Sequence, residues 1–440
     1  MTTASRSRSL VPPFRRCLAL GLGVLLAGHA GLASATNGYS PTGFGTTNKG
    51  MVGAGVALPQ DTLTAATNPA GMALLGHRLD VGAALFAPDR GFFANSDIAP
   101  PPNPSIPPGE FDSDNEVFLI PHFGWSRPLD ERSTVGVSLG GNGGMNTEYD
   151  SAVWRNFSPA GSSTPTGVDF AQLFLGFSYA RMVTSDHWLG VMPVVAFQRF
   201  KAEGLEPFDN AMASVNPGAV TNNGYDQSWG YGIRVGWLGQ ITDTLRLGAS
   251  WQSRLRMEEF DEYSGLFAEQ GDFDAPSTWV LGLAWDALPE LTFVLDWQRI
   301  NYGEVDTLSN PNNVSPFTDP GRRLGSDDGL GFGWEDIDIL KLGVQWEVSP
   351  VWTLRAGYSW ADQLFEGGQA LFNILAPATI REHASVGATW DYGDASGLNV
   401  ALTRAFSEKI SGTNPAFVGP QTGFVEMDQW ELEVSWFPRF

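Results

Sequence analysis

From about residue 77 to the C-terminus the chain repeats one pattern: segments of ten to fifteen residues in which large apolar side chains take every second position. In 337–348 the even positions hold Leu340, Leu342, Val344, Trp346 and Val348, with Lys341, Gly343, Gln345 and Glu347 between them. Past the turn at Ser349-Pro350, Trp352, Leu354, Ala356, Tyr358 and Trp360 alternate with Thr353, Arg355, Gly357 and Ser359. Trp430, Leu432, Val434 and Trp436 do the same against Glu431, Glu433 and Ser435. A period of two with one apolar face is a β-strand whose other face meets polar surroundings. Two packed soluble sheets would bury such faces against each other and have no reason to end them in tryptophan. Here Trp closes the apolar face at both limits, as in Trp279/Trp285 and Trp430/Trp436. Six residues of strand at ~3.3 Å each, tilted by roughly 40°, set such a pair about 15 Å apart along a membrane normal, which suits two aromatic girdles about a thin apolar band.

Fourteen such segments are legible, at 77–88, 116–128, 133–146, 168–182, 187–200, 226–239, 244–257, 276–286, 290–299, 335–347, 352–361, 380–391, 397–406 and 426–440. The gaps between them alternate in length. Those at 129–132, 183–186, 240–243, 287–289 and 348–351 carry Pro, Asp, Thr or Ser and read as tight turns. The others are long and hold most of the Pro, Asn, Gly and Asp, as in Pro100-Pro101-Pro102-Asn103-Pro104 and Ser326-Asp327-Asp328-Gly329. Short turns at one end, long loops at the other and an even strand number predict an all-β fold, a fourteen-stranded antiparallel transmembrane β-barrel over 77–440. Closure pairs every backbone group in lipid, which an open sheet would not. Composition narrows the class further. Lys and Arg number 26 against 48 Asp and Glu, so no basic surface is present to neutralise phosphates, and nucleic acid is not an expected partner. No run of 18 apolar residues follows the N-terminus, which excludes helical spans.

Arg6, Arg8, Arg15 and Arg16, the apolar run from Cys17 to Ala27 and then Ala33-Ser34-Ala35 predict a signal peptide over 1–35, cleaved after Ala35. The single cysteine, Cys17, leaves with it, so neither a disulfide framework nor a thiolate metal site is available. An exported, acidic, aromatic-rich chain fits the outer membrane of a bacterium. Residues 36–76 are small, weakly charged and lack the strand pattern. Their low polarity argues against a free tail, and a barrel of this width needs filling, so they are expected to form a plug in the lumen.

Three features together resemble the FadL/TodX (OMPP1) family of outer-membrane transporters for long-chain fatty acids and other hydrophobic compounds. The stretch from Gly43-Phe44-Gly45 through Gly53-Ala54-Gly55 and Asp61 to Asn68-Pro69-Ala70 is similar to that family's N-terminal hatch with its Asn-Pro-Ala motif. The third strand runs from Thr134-Val135-Gly136 into Gly140-Gly141-Asn142-Gly143-Gly144, placed like the inward kink that opens family barrels sideways. The strand count and a C-terminal Phe440 on an aromatic strand are also like the family, and like outer-membrane assembly signals generally. The resemblance implies a monomer that meets outer-membrane lipid, lipopolysaccharide and the barrel assembly machinery, and that takes hydrophobic small molecules. The loops differ in composition, Pro438 interrupts the last strand's lipid face, and no family ligand contact can be matched residue by residue.

Hydrophobic molecules cross a water-filled pore poorly, so a carrier for them needs an apolar site and an exit that avoids water. Glycine weakens a strand and permits a bulge, so Gly140, Gly141, Asn142, Gly143 and Gly144 are the candidate lateral opening. Alternation turns Met192, Val194 and Ala196 inward, which a porin's polar lumen would not require. A fatty acid also brings a carboxylate, which a basic side chain in a partly dry lumen holds by a charge-assisted hydrogen bond. Arg234, Arg246, Arg254, Lys341, Arg355 and Arg381 are turned inward, where Asp296, Glu431 and Glu433 are competing structural partners. Arg234 and Lys341, nearest mid-strand, are the candidate ligand contacts, with Met192 and Val194 as apolar lining. His122 and Ser126 share an inward face without a nucleophile signature, so catalysis is not expected. Asp327-Asp328 and Asp272-Phe273-Asp274 lack calcium-loop spacing and read as solvated loop charge, and no cofactor or metal is implied. The expected function is passive uptake of long-chain fatty acids or similar molecules, through a lumen site and a lateral exit at the third strand. The alternatives are an aromatic-hydrocarbon or general channel, and an adhesin or receptor working through the outer loops.

Overall fold

The computed structural model describes residues 36–95, 105–157, 162–315, 319–370, 372–392, 396–413 and 421–438. The expected signal peptide over 1–35 and the terminal Phe440 lie outside these residues. Fourteen long strands follow in order: β1 (Arg78–Ala94), β2 (Phe118–Pro128), β3 (Ser133–Tyr149), β4 (Thr166–Thr184), β5 (His187–Glu203), β6 (Asp226–Thr242) and β7 (Leu245–Gln252), then β8 (Thr278–Leu288), β9 (Leu291–Ile300), β10 (Ile337–Ser349), β11 (Trp352–Ala361), β12 (Glu382–Tyr392), β13 (Ser396–Thr413) and β14 (Thr422–Pro438). Each pairs antiparallel with the next, and β14 returns to β1 from Trp436↔Val81 to Gly423↔Ala94, closing the barrel. Short strands Gly109–Asp112 and Arg256–Met257 extend β1 and β6.

The alternation does what its period dictates. On β14, Trp430, Leu432, Val434 and Trp436 face out and are exposed, while Gln429, Glu431, Glu433 and Ser435 are buried inside. On β10, Leu340, Leu342 and Trp346 face out and Lys341 faces in. An exposed apolar belt between tryptophans is a surface that lipid solvates and water does not. Towards the long loops the outward positions turn charged: Asp89 is exposed on β1, and Arg404 on β13 meets Asp428 on β14 at 2.5 Å.

The fourteen expected segments are the fourteen strands, with shifted ends. β1 runs on to Ala94 and β13 to Thr413, and β14 begins at Thr422. The ladder continues past the belt, where outward side chains are no longer apolar and the sequence pattern fades. β7 stops at Gln252, short of the expected 257. Beyond it Arg254 turns to Asp272 (2.9 Å) and Asp274 (2.5 Å), so that loop's acids are paired rather than solvated.

Residues 36–76 pack against the inner face of the ring, where lumen side chains supply the partners that their backbone lacks. Asp296 accepts from Gly55 N (2.7 Å) and Val56 N (2.9 Å), Asp80 from Thr62 N (2.9 Å), and Ser385 Oγ from Val52 N (2.8 Å). Lys49 Nζ lies 2.7 Å from both Glu431 and Glu433, and Thr46 Oγ1 donates to Glu433 at 2.8 Å. The inward acids of β9 and β14 thus serve this segment, not the barrel's own arginines. Over the opposite mouth the long loops share an apolar core, in which Tyr39 meets Phe170 at 5.6 Å and Tyr302 at 5.7 Å, both edge-on.

Lys49→Ala would leave two carboxylates buried without a cation. The expected cost is ~3 kcal/mol or more, since a buried charge without its partner is expensive. Urea unfolding in lipid vesicles measures it, and a loss below ~1 kcal/mol would show that these ion pairs do not anchor the segment.

Candidate functional site

Arg234 on β6 and Lys341 on β10 are far apart in sequence, yet they line one narrow cavity of about 40 Å³. Pro41, Phe44, Ala66 and Val280 give it apolar walls, and Gln252 and Gln298 add neutral polar groups. An apolar cavity with few convergent polar groups is the usual form of a small-molecule site. The two cations differ in their surroundings. Lys341 faces Asp296 across the β9–β10 ladder and donates from Nζ to Thr42 O. Arg234 donates to Gln252 Oε1 and lies 5.6 Å from the Phe44 ring centroid. Among the described residues no carboxylate lies within ion-pair distance of Arg234, although it is buried. A guanidinium keeps its charge in any protein setting, so this one is left without a counter-charge in a dry place.

Met192 and Val194 also face inward, but the structure does not bring them to this cavity. They pack with Ala65 and Met72 of the N-terminal segment and with Leu255. The other basic residues that alternation in the sequence turns inward have hydrogen-bond or ionic partners. Arg246 meets Asp286 at 3.3 Å, Arg355 donates to Gln60 Oε1, Gln345 Oε1 and Thr389 Oγ1, and Arg381 donates to Ala361 O at 3.2 Å. Ser126 Oγ is spent on Gly76 O at 2.7 Å, and His122 turns to Glu433 at 3.5 Å. Neither activates the other.

The Asn-Pro-Ala motif is a docking element. Asn68 caps the 3-10 turn Pro69–Leu74 through Ala70 N (3.1 Å), and its Nδ2 donates to Val56 O and to Trp237 O on β6, both at 2.9 Å. The turn seats against Gly190 on β5 and Gly236 on β6, where a Cβ would stand 2.2 Å from Ala70 N and 2.0 Å from Asn68 Oδ1. Only glycine permits that approach.

On β3 the glycine run carries a bulge. Gly141 faces Leu173 and Gly143 faces Gln172, leaving Asn142 as the extra residue, buried and donating to Gln172 Oε1 at 2.7 Å. The ladder on the other side ends there. β2 and β3 pair only from Pro128↔Thr134 to Phe123↔Leu139, so Phe118 to His122 have no β3 partner. Asp114 N meets Glu148 O at 2.9 Å beyond the break. Those same β2 residues pair with Gly82 to Phe86 of β1, level with Ser435 to Glu431 of β14 and between Trp436 and Trp430. The break therefore lies at the height of the apolar belt. Tyr39 O fills part of it, accepting from Gly144 N at 3.3 Å and sitting where a Cβ on Gly143 would be 1.8 Å away. Pro193 on β5 interrupts a ladder too, but the β4–β5 register resumes between Gly176↔Val194 and Tyr179↔Val191.

Sequence reading missed two residues of this region. Pro121 on β2 has no N–H, which suits a strand with a local free edge. Arg90 on β1 is buried and faces in, continuing the inward series of Asp80, Ala84 and Phe86. The signal was parity, but the strand was expected to stop at 88.

A family model described as outer membrane protein transport protein (OMPP1/FadL/TodX) matches residues 27–417. The 47 kDa outer membrane protein of Pasteurella multocida is 23% identical over 405 residues, covering 87% of this chain and 89% of that one. The fold is similar to the Pseudomonas putida toluene transporter TodX, at a TM-score of 0.65 and 18% identity over 92% of this chain and all of that one. A Pseudomonas aeruginosa FadL homologue gives 0.65 and 16% over 91% of this chain and 99% of that one.

Two outcomes test this geometry. Arg234→Met should raise stability by about 1–3 kcal/mol in urea, because a buried charge without a partner is replaced by an apolar chain of similar length; a loss of stability would give Arg234 a structural role. At the outer loops, burial and then the neighbouring Asp274 push the Asp272 carboxyl up to about 7, against the pull of Arg254. A carboxyl with a raised folded value stabilises below its unfolded value, and that contribution is lost as pH rises through 7. Amide protection factors around 268–275, which take out the intrinsic pH dependence of exchange, should therefore fall from pH 5 to pH 7, and Asp272→Asn should flatten that slope.

Proposed function

Since this chain belongs to the OMPP1/FadL/TodX family of outer membrane transport proteins, we propose that it takes up long-chain fatty acids or similar hydrophobic acids passively across the outer membrane. The observation that carries the reading is Arg234, a buried guanidinium with no carboxylate partner among the described residues, in a cavity that Phe44, Ala66 and Val280 line beside neutral polar groups. A carboxylate head meets that charge by a bidentate, charge-assisted bond while the chain lies on Phe44 and Val280. A neutral aromatic hydrocarbon would leave the guanidinium as it is. TodX is described as a toluene transporter, and for this chain that ligand class is the rival.

Residues 36–76 act as the hatch in this reading. Ligand captured among the outer loops reaches the Arg234 and Lys341 cavity, and a shift of the hatch clears Tyr39 from the wall. Exit is lateral, near Asn142, where the β2–β3 ladder is broken at the height of the apolar belt. The hydrophobic chain then enters lipid without crossing water.

Cells carrying the protein should take up labelled oleate. Replacing Gly140, Gly141, Gly143 and Gly144 by strand-forming residues should abolish most of that uptake, and unchanged uptake would end the lateral-exit proposal. Arg234→Gln should slow oleate uptake by about tenfold, as loss of one charge-assisted bond predicts, and leave toluene uptake unchanged. Equal losses for both ligands, or none for oleate, would favour the hydrocarbon channel.

A further inference from the structure

A second buried arginine stands at the break in the wall. Arg90 faces inward on β1 at the register of Met427 on β14, one residue beyond the Asp89↔Asp428 pair. That is the level at which the outer wall changes from apolar to charged. Directly below it, Gly82 to Phe86 pair with the stretch of β2 that has no β3 partner. Arg90 is therefore the upper rim of the break.

Its partners are the carbonyls that the missing ladder leaves behind. One terminal nitrogen donates to Asn146 O on β3 and the other to Asn115 O just before β2. Its Nε is buried without a partner, and no carboxylate pairs with it among the described residues. It lines a small cavity of about 30 Å³, walled by Phe86, Met145, Ala376, Pro377 and Met427 and open to Gly144 on the bulged strand. This cavity shares no lining residue with the one at Arg234.

We propose that this cavity is a second anion subsite, in which Arg90 takes the carboxylate of a hydrophobic acid while its acyl chain lies in the break between β2 and β3. The proposal rests on the acidic ligand read from Arg234. Dragging a carboxylate through the apolar belt is costly. Held at Arg90, the head stays at the charged level while the chain passes into lipid below it. A carboxylate that takes over donors now bonded to Asn146 O and Asn115 O also releases the strap between the strand edges, so arrival of the ligand loosens the wall through which it leaves.

The test uses the full-length protein in nanodiscs, with oleate and methyl oleate as probes, alongside a photoreactive oleate whose diazirine sits next to the carboxylate. Arg90→Gln should weaken oleate by about tenfold and methyl oleate by less than twofold. Wild-type protein should be labelled at two places, 41–44 and 144–146 or 376–378, the second set disappearing in Arg90→Gln and surviving in Arg234→Gln. Equal weakening of both ligands would make Arg90 a structural strap only, and unchanged oleate binding would also overturn the subsite. If Arg90→Gln does not fold, the wild-type label decides. Label confined to 41–44 removes this subsite and leaves the uptake reading standing, whereas no saturable label at either place removes both.

Discussion

In hydrocarbon an unpaired backbone N–H or C=O costs several kcal/mol, so a strand in lipid must be paired along its length. The other features of this barrel are arranged around that constraint. Thirteen of its fourteen seams meet it with ladders that run on or resume. At the β2–β3 seam the ladder covers only the lower half, and other groups take its place. Tyr39 O meets Gly144 N, Arg90 meets two carbonyls, Pro121 has no N–H to satisfy, and the Ile120 side chain leans over Gly141. A wall built from side chains and a docked segment can change without unzipping a sheet.

The interior charges divide by the same logic. Segment 36–76 is too short of regular structure to pair its own backbone, and the barrel's inward acids do this for it, Asp296 and Asp80 by accepting from N–H groups and Glu431 and Glu433 by holding Lys49. Their use there leaves Arg234 and Arg90 without anionic partners among the described residues. An acidic chain thus places arginines without a counter-charge at two of its cavities, a distribution opposite in sign to its net charge of −22.

Strand number and the face of each side chain were legible because lipid and lumen impose a strict period of two, which needs no knowledge of the partner strand. Arg234 and Lys341 could be placed in the lumen on this ground, though their meeting in one cavity could not. Met192 and Val194 were read inward by the same parity, but parity does not say whether an inward residue faces a cavity or the docked segment. Arg90 is not legible because outward neighbours such as Asp89 are not apolar beyond the belt, so the period of two fades before the strand ends at Ala94. Parity offers Glu431 and Glu433 only as partners of the strands' own inward basic residues, whereas Lys49 lies almost four hundred residues away in sequence, a distance over which local pattern carries no information.

That separation has a consequence for how the molecule is made. β14 follows the other thirteen strands in chain order, it closes the ring against β1, and it also carries Gln429, Glu431 and Glu433, which hold Thr36, Thr46 and Lys49. The N-terminal segment has no seat on that wall until the final strand arrives. Closing the ring then completes that seat by contacts of very high contact order, and a chain truncated before β14 would lose the anchors of Thr36, Thr46 and Lys49 along with its seam.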